Sequence, residues 1–211
     1  MYAAGMSDSA ATPTPSTAKP GLRERMRATI RAEVTDVALR LFAEQGFDRT
    51  TVDQIAAESG VSRASLFRHF GTKEDIVLAD LDEIGRQVTD ALAARPDEER
   101  PWEALRRVFD VMTRRLEAEP ERMLSYLRML QETPSLRARH FEKQLHWQEI
   151  MAPEIARRLG ASPGQPDDPR PAALVAAALA CADAASAGWV ACEGAVPLTV
   201  LLDRAMGAFT D

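Results

Sequence analysis

The sequence contains little cysteine and none of the motifs on which common catalytic sites are built. Its 211 residues include two cysteines, three histidines and two tyrosines. No Gly-rich phosphate loop, HExxH or CxxC segment, nucleophile elbow or Ser/His/Asp arrangement occurs in it. His140, Glu142, His146 and Glu149 share one predicted helix, but a metal site would need further ligands, and a polar face with i,i+4 pairs explains them better. We therefore expect no catalysis, no metal and no cofactor.

The two cysteines, Cys181 and Cys192, lie on one predicted helix, where the rise per residue places them roughly 16 Å apart. Because this is beyond disulfide reach, we expect reduced packing residues of a cytoplasmic protein, with redox sensing as the alternative. Met1–Pro20 is rich in Ala, Ser, Thr and Pro and lacks a basic region ahead of an apolar run. We expect a disordered tail rather than a secretory leader, with Met6 as an alternative start.

Strand patterns are also missing from the sequence. No stretch alternates apolar and polar residues, and helix formers dominate, which predicts an all-α protein. The most apolar segment, Ala172–Cys192, has one charged residue, Asp183. A membrane span is disfavoured there, because alanine contributes little transfer energy and a central charge costs about 2.5–3.5 kcal/mol. We expect instead that this helix and Val200–Phe209 form half of a four-helix homodimer interface, a monomeric buried helix being the alternative.

The net charge of −6 is unusual for a DNA-binding protein, but the charge is unevenly distributed. Residues 21–75 carry nine basic and nine acidic side chains, whereas residues 76–211 carry sixteen basic and twenty-two acidic ones. Within the neutral part, residues 60–73 hold three basic side chains and no acid. Such a local positive field predicts modest sequence-independent affinity for DNA, so specific contacts must contribute more. A solvated basic helix face is the competing interpretation.

Residues 51–70 read as two short helices joined by a tight turn. Gly60 supplies the positive φ that ends the first helix, and Val61 is expected to enter the core between the two helices. Leu66 and Phe70, four residues apart, face inward. The positions left available to a DNA major groove are Arg63, Ala64, Ser65, Phe67, Arg68 and His69. This pattern predicts a helix-turn-helix DNA reader.

Capping signals delimit the neighbouring helices. An apolar stripe from Met26 to Phe42 marks the preceding helix, which Gly46 stops and over whose last turn Phe47 folds back. The predicted N-caps of the next three helices are Thr51, in a capping box with Gln54, then Ser62 and Thr72.

Residues 24 to about 85, above all the segment LFAEQGF-x-x-TTVDQIAAESGVSRASLFRHFGTKEDI, resemble the N-terminal domain of the TetR family of bacterial transcriptional regulators. The remaining part, about two thirds of the chain, resembles the family only in length and helical pattern. The resemblance implies a tail at 1–20, a helix-turn-helix DNA-binding domain at 21–72 and a helical ligand-binding and dimerisation domain at 73–211. It also implies a homodimer on a palindromic DNA operator.

The family's DNA contacts can be carried over position by position. The base-edge positions are Arg63, Ala64 and Ser65, and the phosphate-gripping positions are Thr51, His69 and Lys73. Arg63 suits a bidentate guanine contact, and the Ala64 methyl suits a thymine methyl. Where the family commonly has tyrosine this chain has Phe67, so only ring packing remains at that position, and the neighbouring Arg68 could compensate.

Proline and glycine divide the rest of the chain into further predicted helices. They are a connecting helix Lys73–Ala94, then Pro101–Ala118, Pro120–Gln131, Thr133–Leu159, Pro171–Cys192 and Pro197–Phe209. Pro153 is expected to kink the fourth of these.

Large flexible and aromatic side chains are spread over four of these helices, which favours a pocket for a small, mostly apolar effector. The candidate ligand-binding residues are Phe109, Met112, Tyr126, Met129, Trp147, Met151, Asp183 and Trp189. For any single apolar member of this set, a packed core is the competing interpretation. For Asp183 three roles are open: a buried partner of an arginine, a hydrogen bond across a dimer, or a ligand contact.

Together these patterns predict a homodimeric transcriptional repressor in the cytoplasm that a small, mostly apolar ligand releases from its DNA operator. The alternative is a helical dimeric protein-interaction module with a vestigial DNA reader. The acid-free set of Arg63, Arg68, His69 and Lys73 argues against that alternative, since a vestigial surface has no reason to stay free of acid.

Overall fold

The computed structural model describes residues 21–162, 164 and 167–209, and this part of the chain contains eleven helices and no strand. The all-α prediction is confirmed. The tail predicted at Met1–Pro20 lies outside the described residues. The helices are α1 Leu22–Gln45, α2 Val52–Glu58, α3 Arg63–His69, α4 Lys73–Val77, α5 Leu81–Ala93, α6 Pro101–Val108, α7 Asp110–Ala118, α8 Pro120–Glu132, α9 Pro134–Arg158, α10 Arg170–Ala191 and α11 Leu198–Gly207.

The first three helices pack around a small core of their own. The buried residues of this core are Val34, Ala38, Leu41, Phe42, Phe47, Ile55, Ala56, Leu66 and Phe70. Phe47 folds back over the end of α1, with its ring centroid 5.1 Å from that of Phe42, as predicted. Met26, in contrast, was wrongly assigned to the core side of α1: it is 60% exposed, because no other helix packs over the first turns of α1. Val61 is only half-buried.

The predicted helix ends of this unit are confirmed atom by atom. The Thr51 hydroxyl accepts from the Gln54 backbone N–H, and the Gln54 side chain accepts in return from the Thr51 N–H at 2.8 Å. The Ser62 hydroxyl accepts from the Ser65 N–H at 3.1 Å. Gly46 and Gly60 adopt φ values of +86° and +66°, so each ends its helix where a residue with a β-carbon would be strained. These local bonds fix the angle at which α3 leaves α2.

Two predicted helices are broken in the structure. The connecting helix is divided at Leu78–Asp80 into α4 and α5, and the helix predicted at Pro101–Ala118 is divided at Phe109. Ile76, Val77 and Leu78 are consecutive and all buried. Three consecutive side chains cannot share one helix face, and this segment is accordingly covered from two sides, since α4 packs against α1 and α9. Phe109 is likewise fully buried directly after buried Val108.

The long helix α9 runs through Pro153 without interruption. Helix α10 lies at the centre of the C-terminal part and packs against α6, α8, α9 and α11. It is the one described helix that is long and apolar enough to cross a membrane. One of its faces is buried inside the protein, through Val175, Ala178, Leu179, Ala182, Ala185 and Trp189 among others. The described structure covers α10 on one side only, and the homodimer interface predicted for it stays a prediction.

Candidate functional site

The outer face of α3 carries the side chains that were predicted to meet DNA. Arg63, Ala64, Phe67 and Arg68 are exposed, whereas Ser65 and His69 are half-buried. Phe67 is the unusual residue of this face, because 42% of the surface of this large apolar side chain is accessible. The inward-facing Leu66 and Phe70 hold the helix against α1 and α2, so this face is presented by a packed core rather than by a loop.

The basic groups of this face already have partners within the chain. The Arg63 guanidinium lies 3.1 Å from the carboxylate of Asp53 on α2 and 5.6 Å from the centroid of the Phe67 ring. Arg68 donates to the Ser65 hydroxyl at 2.9 Å. Both members of the Arg63–Asp53 pair are more than half exposed, and such pairs contribute at most about 1 kcal/mol. DNA can therefore replace Asp53 at little cost.

His69 is held from behind by α1, a contact that the sequence did not reveal. Arg31 donates to the His69 backbone carbonyl, and its guanidinium lies 4.5 Å from the centroid of the Phe70 ring. Burial lowers the pKa of the His69 imidazole, and the charges of Arg68, Arg27 and Arg31 lower it further. These neighbours disfavour the protonated form of the His69 ring in the free protein.

Lys73 has a structural task in addition to its predicted contact with phosphate. Its ammonium group donates to the carbonyls of Phe47 and Thr50 at 2.8 and 3.2 Å and lies 4.0 Å from the centroid of the Phe47 ring. These bonds tie the start of α4 to the loop between α1 and α2. One N–H of the ammonium is left for a phosphate.

Lys73→Met is accordingly expected to lower the free energy of unfolding by about 1–3 kcal/mol, because it leaves two carbonyls without their charged donor. Urea denaturation checks this, with Arg68→Met as the matched control, since Arg68 contacts no backbone carbonyl in the described structure and should change stability by less than about 0.5 kcal/mol. If the Lys73→Met variant is as stable as the parent, the hydrogen bonds from Lys73 to Phe47 and Thr50 do not stabilise the fold, and only the predicted contact with phosphate remains.

A cavity of about 1250 Å³ lies between α1, the α4–α5 break and helices α7 to α10. Met112, Tyr126, Trp147 and Asp183 line it, as the sequence predicts. The other four predicted ligand residues do not line it. Phe109, Met151 and Trp189 are almost fully buried in the packed core, and Met129 lines a second hollow between α1 and α8.

The cavity wall includes α1, the first helix of the unit formed by α1, α2 and α3, which we call the DNA-reading unit. Ala32, Thr35, Asp36 and Leu39 line it from that side. Sequence reasoning missed this contribution, although these residues recur at three- and four-residue steps and form a second stripe on α1, beside the core-facing one. The same wall includes Val77, Leu78, Asp80 and Leu81 at the α4–α5 break. A molecule in this cavity therefore touches α1, which packs against α3, and the α4–α5 break, whose helix α4 packs against α1.

The polar groups of the wall are mostly paired with one another. Asp36 pairs with Arg122, and Asp80 pairs with Arg115. Asp183 accepts from the Gln144 amide at 2.8 Å and lies 3.4 Å from His140, so its predicted role as a buried partner of an arginine is wrong. It is exposed at the cavity rim rather than buried, and its carboxylate could still serve a ligand or a second subunit.

The residues weighed as a metal site form a polar helix face. The Glu142 carboxylate accepts a hydrogen bond from Arg139, and His146 lies 3.6 Å from Glu149. Among the described residues, no group of three or more His, Cys, Asp or Glu side chains could hold a metal ion. Cys181 and Cys192 are both free thiols, and burial raises the pKa of the Cys181 thiol, which makes it less reactive.

One face of α10 is uncovered in the described structure. It consists of small residues at helical spacing, and the exposed alanines are Ala173, Ala176, Ala180, Ala184, Ala187 and Ala191. Val200 of α11 is exposed as well, and Phe209, two residues beyond the end of α11, is 67% exposed with its ring packed on Trp102. On α9, Phe141 and Leu145 are large apolar side chains that are also exposed.

Comparison with known proteins assigns this architecture to a family. The family model described as "Bacterial regulatory proteins, tetR family" matches residues 34–79, and the one described as "MftR C-terminal domain" matches residues 99–211. The FadR repressor of Thermus thermophilus, solved with lauroyl-CoA, has a similar fold, with a TM-score of 0.55 and 24% identity over 85% of this chain and 93% of that one.

Two relatives are similar along most of their length. The transcriptional regulator TcmR of Streptomyces glaucescens is 34% identical over 86% of this chain and 84% of its own. MftR of Mycobacterium tuberculosis, a regulator named for mycofactocin biosynthesis, is 30% identical over 89% of this chain and 90% of its own. The chain belongs to the TetR family of helix-turn-helix transcriptional regulators.

Proposed function

We propose that this regulator is a cytoplasmic, homodimeric repressor that binds a palindromic operator and leaves it when a small, largely apolar molecule enters the cavity. The observation that carries the proposal is that α1 contributes to both sites: it lines the cavity together with the α4–α5 break, and it packs against α3. Residues 21–72 would read DNA, and residues 73–211 would bind the effector and the second subunit. No catalytic step forms part of this function.

In the proposed complex the start of α3 enters the major groove. Arg63 exchanges Asp53 for a guanine edge, while Ala64 and Ser65 meet neighbouring base edges. Thr51, His69 and Lys73 bind phosphates and set the register, and Phe67 with Arg68 packs against the backbone beside them. Because the chain as a whole is acidic, these few contacts must supply most of the affinity.

The second subunit would cover the small-residue face of α10 together with α11. Alanines at helical spacing allow two helix backbones to approach closely, and Val200 supplies an apolar side chain at the edge of that face. An isologous interface of this kind creates a two-fold axis, which matches the symmetry of a palindromic operator.

An ion pair between Asp36 on α1 and Arg122 on α8 connects the DNA-reading unit to the rest of the chain beside the cavity. A second pair, within residues 73–211, joins Asp75 on α4 to Arg139 on α9 at 2.8 Å. A ligand that binds the DNA-incompetent state more tightly would shift these contacts and change the separation of the two α3 helices from one DNA turn. FadR, the structural neighbour solved with lauroyl-CoA, is itself named a repressor, which supports this assignment.

Arg63→Ala should weaken operator binding by about 1–3 kcal/mol and relax specificity at one base position. The operator is first located by footprinting on DNA beside the regulator's own gene, and affinity is then measured for the operator and for single-base variants. Arg86→Ala is the matched control, because Arg86 is exposed on α5 and pairs with Glu83, away from α3. If Arg63→Ala binds the operator with the affinity and the specificity of the parent protein, Arg63 does not contact a base.

A further inference from the structure

Two unpaired polar groups of the cavity wall are hydrogen-bond donors. All four of its carboxylates have a partner: Asp36, Asp80 and Glu119 pair with arginines, and Asp183 accepts from Gln144. Among the described residues, the guanidinium of Arg137 forms no ion pair, and the hydroxyl of Tyr126 forms no hydrogen bond. The wall therefore offers a ligand these two donors, beside the polar side chains of Thr35, Gln131 and Ser186, which can donate or accept.

Tyr126 is a partly buried residue between two hollows. It lines the larger cavity and also the hollow beside α1 and α8. Asp80 and Arg115, the two charged groups that act on the pKa of its hydroxyl, line the larger cavity alone, which favours that cavity as the place from which a ligand reaches the hydroxyl. Tyr126 Oη is not among the fully enclosed side-chain atoms without a partner, which in the described structure are Thr35 Oγ1 and His140 Nδ1.

The Tyr126 hydroxyl keeps its proton at any physiological pH. Burial raises the pKa of this phenol far above its ordinary value, and the Asp80 carboxylate raises it further, while Arg115 opposes them. In the described structure this O–H, beside apolar neighbours such as Leu127 and Leu130, has no acceptor other than water in the cavity, so it needs a new acceptor when a ligand displaces that water. A ligand atom with a lone pair supplies that acceptor.

We propose that Tyr126 is the polar anchor of the effector site and that the effector is an uncharged, largely apolar molecule with a carbonyl oxygen that accepts the Tyr126 hydrogen bond. This inference rests on the proposed effector role of the cavity. The wall carries four carboxylates against three guanidinium groups, so it provides no net positive field for an anion. Contacts with its apolar surfaces contribute most of the binding affinity. The hydrogen bond from Tyr126 provides the selectivity among ligands of similar shape.

Three probes of similar shape test this proposal by calorimetry. Benzophenone has a carbonyl, diphenylmethane has a methylene in its place, and 4-benzoylbenzoate adds a negative charge. The parent protein should bind benzophenone about three- to tenfold more tightly than diphenylmethane, the range expected for one hydrogen bond. It should bind 4-benzoylbenzoate more weakly than benzophenone. The opposite order for the charged probe would contradict an uncharged effector.

Tyr126→Phe removes the hydroxyl and keeps the ring. The preference for benzophenone over diphenylmethane should disappear in this variant, while its affinity for diphenylmethane stays within about twofold of the parent value. Ser186→Ala is the matched control, because it removes another hydroxyl of the same wall and should leave the preference intact. A preference that survives Tyr126→Phe, or that is lost in Ser186→Ala, overturns the assignment to Tyr126.

The experiment separates this inference from the proposed function. Absence of binding, or equal binding of benzophenone and diphenylmethane, overturns the inference about Tyr126. A Tyr126-dependent preference supports it, whatever the effect on DNA. Operator affinity measured with saturating benzophenone then tests the proposed function alone, since a bound probe that leaves this affinity unchanged contradicts release through the cavity.

Discussion

Ala184→Arg is expected to separate the dimer into monomers and to reduce operator affinity by on the order of a thousandfold, to the level of nonspecific binding. Ala184 lies on the uncovered face of α10, midway along the row of exposed alanines. A second helix packed against this row leaves no room for a guanidinium. The acidic residue of α10 next to this position is Asp183. Since Asp183 already accepts from Gln144, the new charge would be buried without a full partner.

The reason for the large effect on DNA is geometric. A monomer can place only one α3 helix in a major groove, and the second half-site then contributes nothing. Sedimentation measures the association, and circular dichroism checks that helicity is retained. Ala93→Arg is the matched control, because Ala93 is an exposed alanine at the end of α5. A dimer that persists in Ala184→Arg would place the interface elsewhere, with exposed Phe141 and Leu145 of α9 as the next candidates.

Gly85→Ala is expected to lower the free energy of unfolding by about 1–3 kcal/mol, although alanine is the better helix former. A β-carbon at Gly85 would lie 2.3 Å from Nε1 and 2.7 Å from Cδ1 of the Trp147 indole. That indole is rigid, 4% exposed, and donates from Nε1 to the Leu81 carbonyl at 3.1 Å. The methyl group must displace it and break this bond, which outweighs the roughly 1 kcal/mol gained in helix propensity.

The displaced Trp147 would also change the cavity, because it lines the wall beside α5. We expect a shift of tryptophan fluorescence to longer wavelength and weaker binding of any cavity ligand. Gly188→Ala is the matched control: its β-carbon would meet Leu201 at 3.8 Å, an ordinary contact, so alanine should be tolerated there. Equal stability of Gly85→Ala and Gly188→Ala would show that the Trp147 indole can move away from α5 at little cost in free energy.

The DNA-reading unit could be predicted from sequence almost residue by residue, because its determinants are local. Thr51 with Gln54, and Ser62 with Ser65, are separated by three residues, so their hydrogen bonds follow from the spacing alone. The long-range contacts of the same unit could not be predicted. Nothing in the sequence indicates that Lys73 reaches Phe47 and Thr50.

The effector cavity was predicted only in part, for a physical reason. Phe109, Met151 and Trp189 have the same chemistry as Met112 and Trp147, yet they fill a packed core. Residue type does not distinguish a side chain that faces a cavity from one that faces another side chain, because both surfaces are apolar. The decision depends on where the helices break and cross.

Polar positions on an otherwise apolar helix were the better guide to the cavity. Asp183 was found by this criterion, whereas Thr35 and Asp36 could not be, because α1 carries many charged residues. The two helix breaks escaped prediction because the helix periodicity continues across them.

Occupancy of the cavity and binding of the operator are expected to oppose each other, and reciprocal titration measures this coupling. A compound found by thermal shift, whose binding is lost when Ala182→Trp fills the cavity, is titrated into free protein and into protein–operator complex. The compound should weaken operator binding by some factor, and the operator should weaken binding of the compound by the same factor. A compound that binds in the cavity with equal affinity in both titrations would show that the cavity does not control DNA binding.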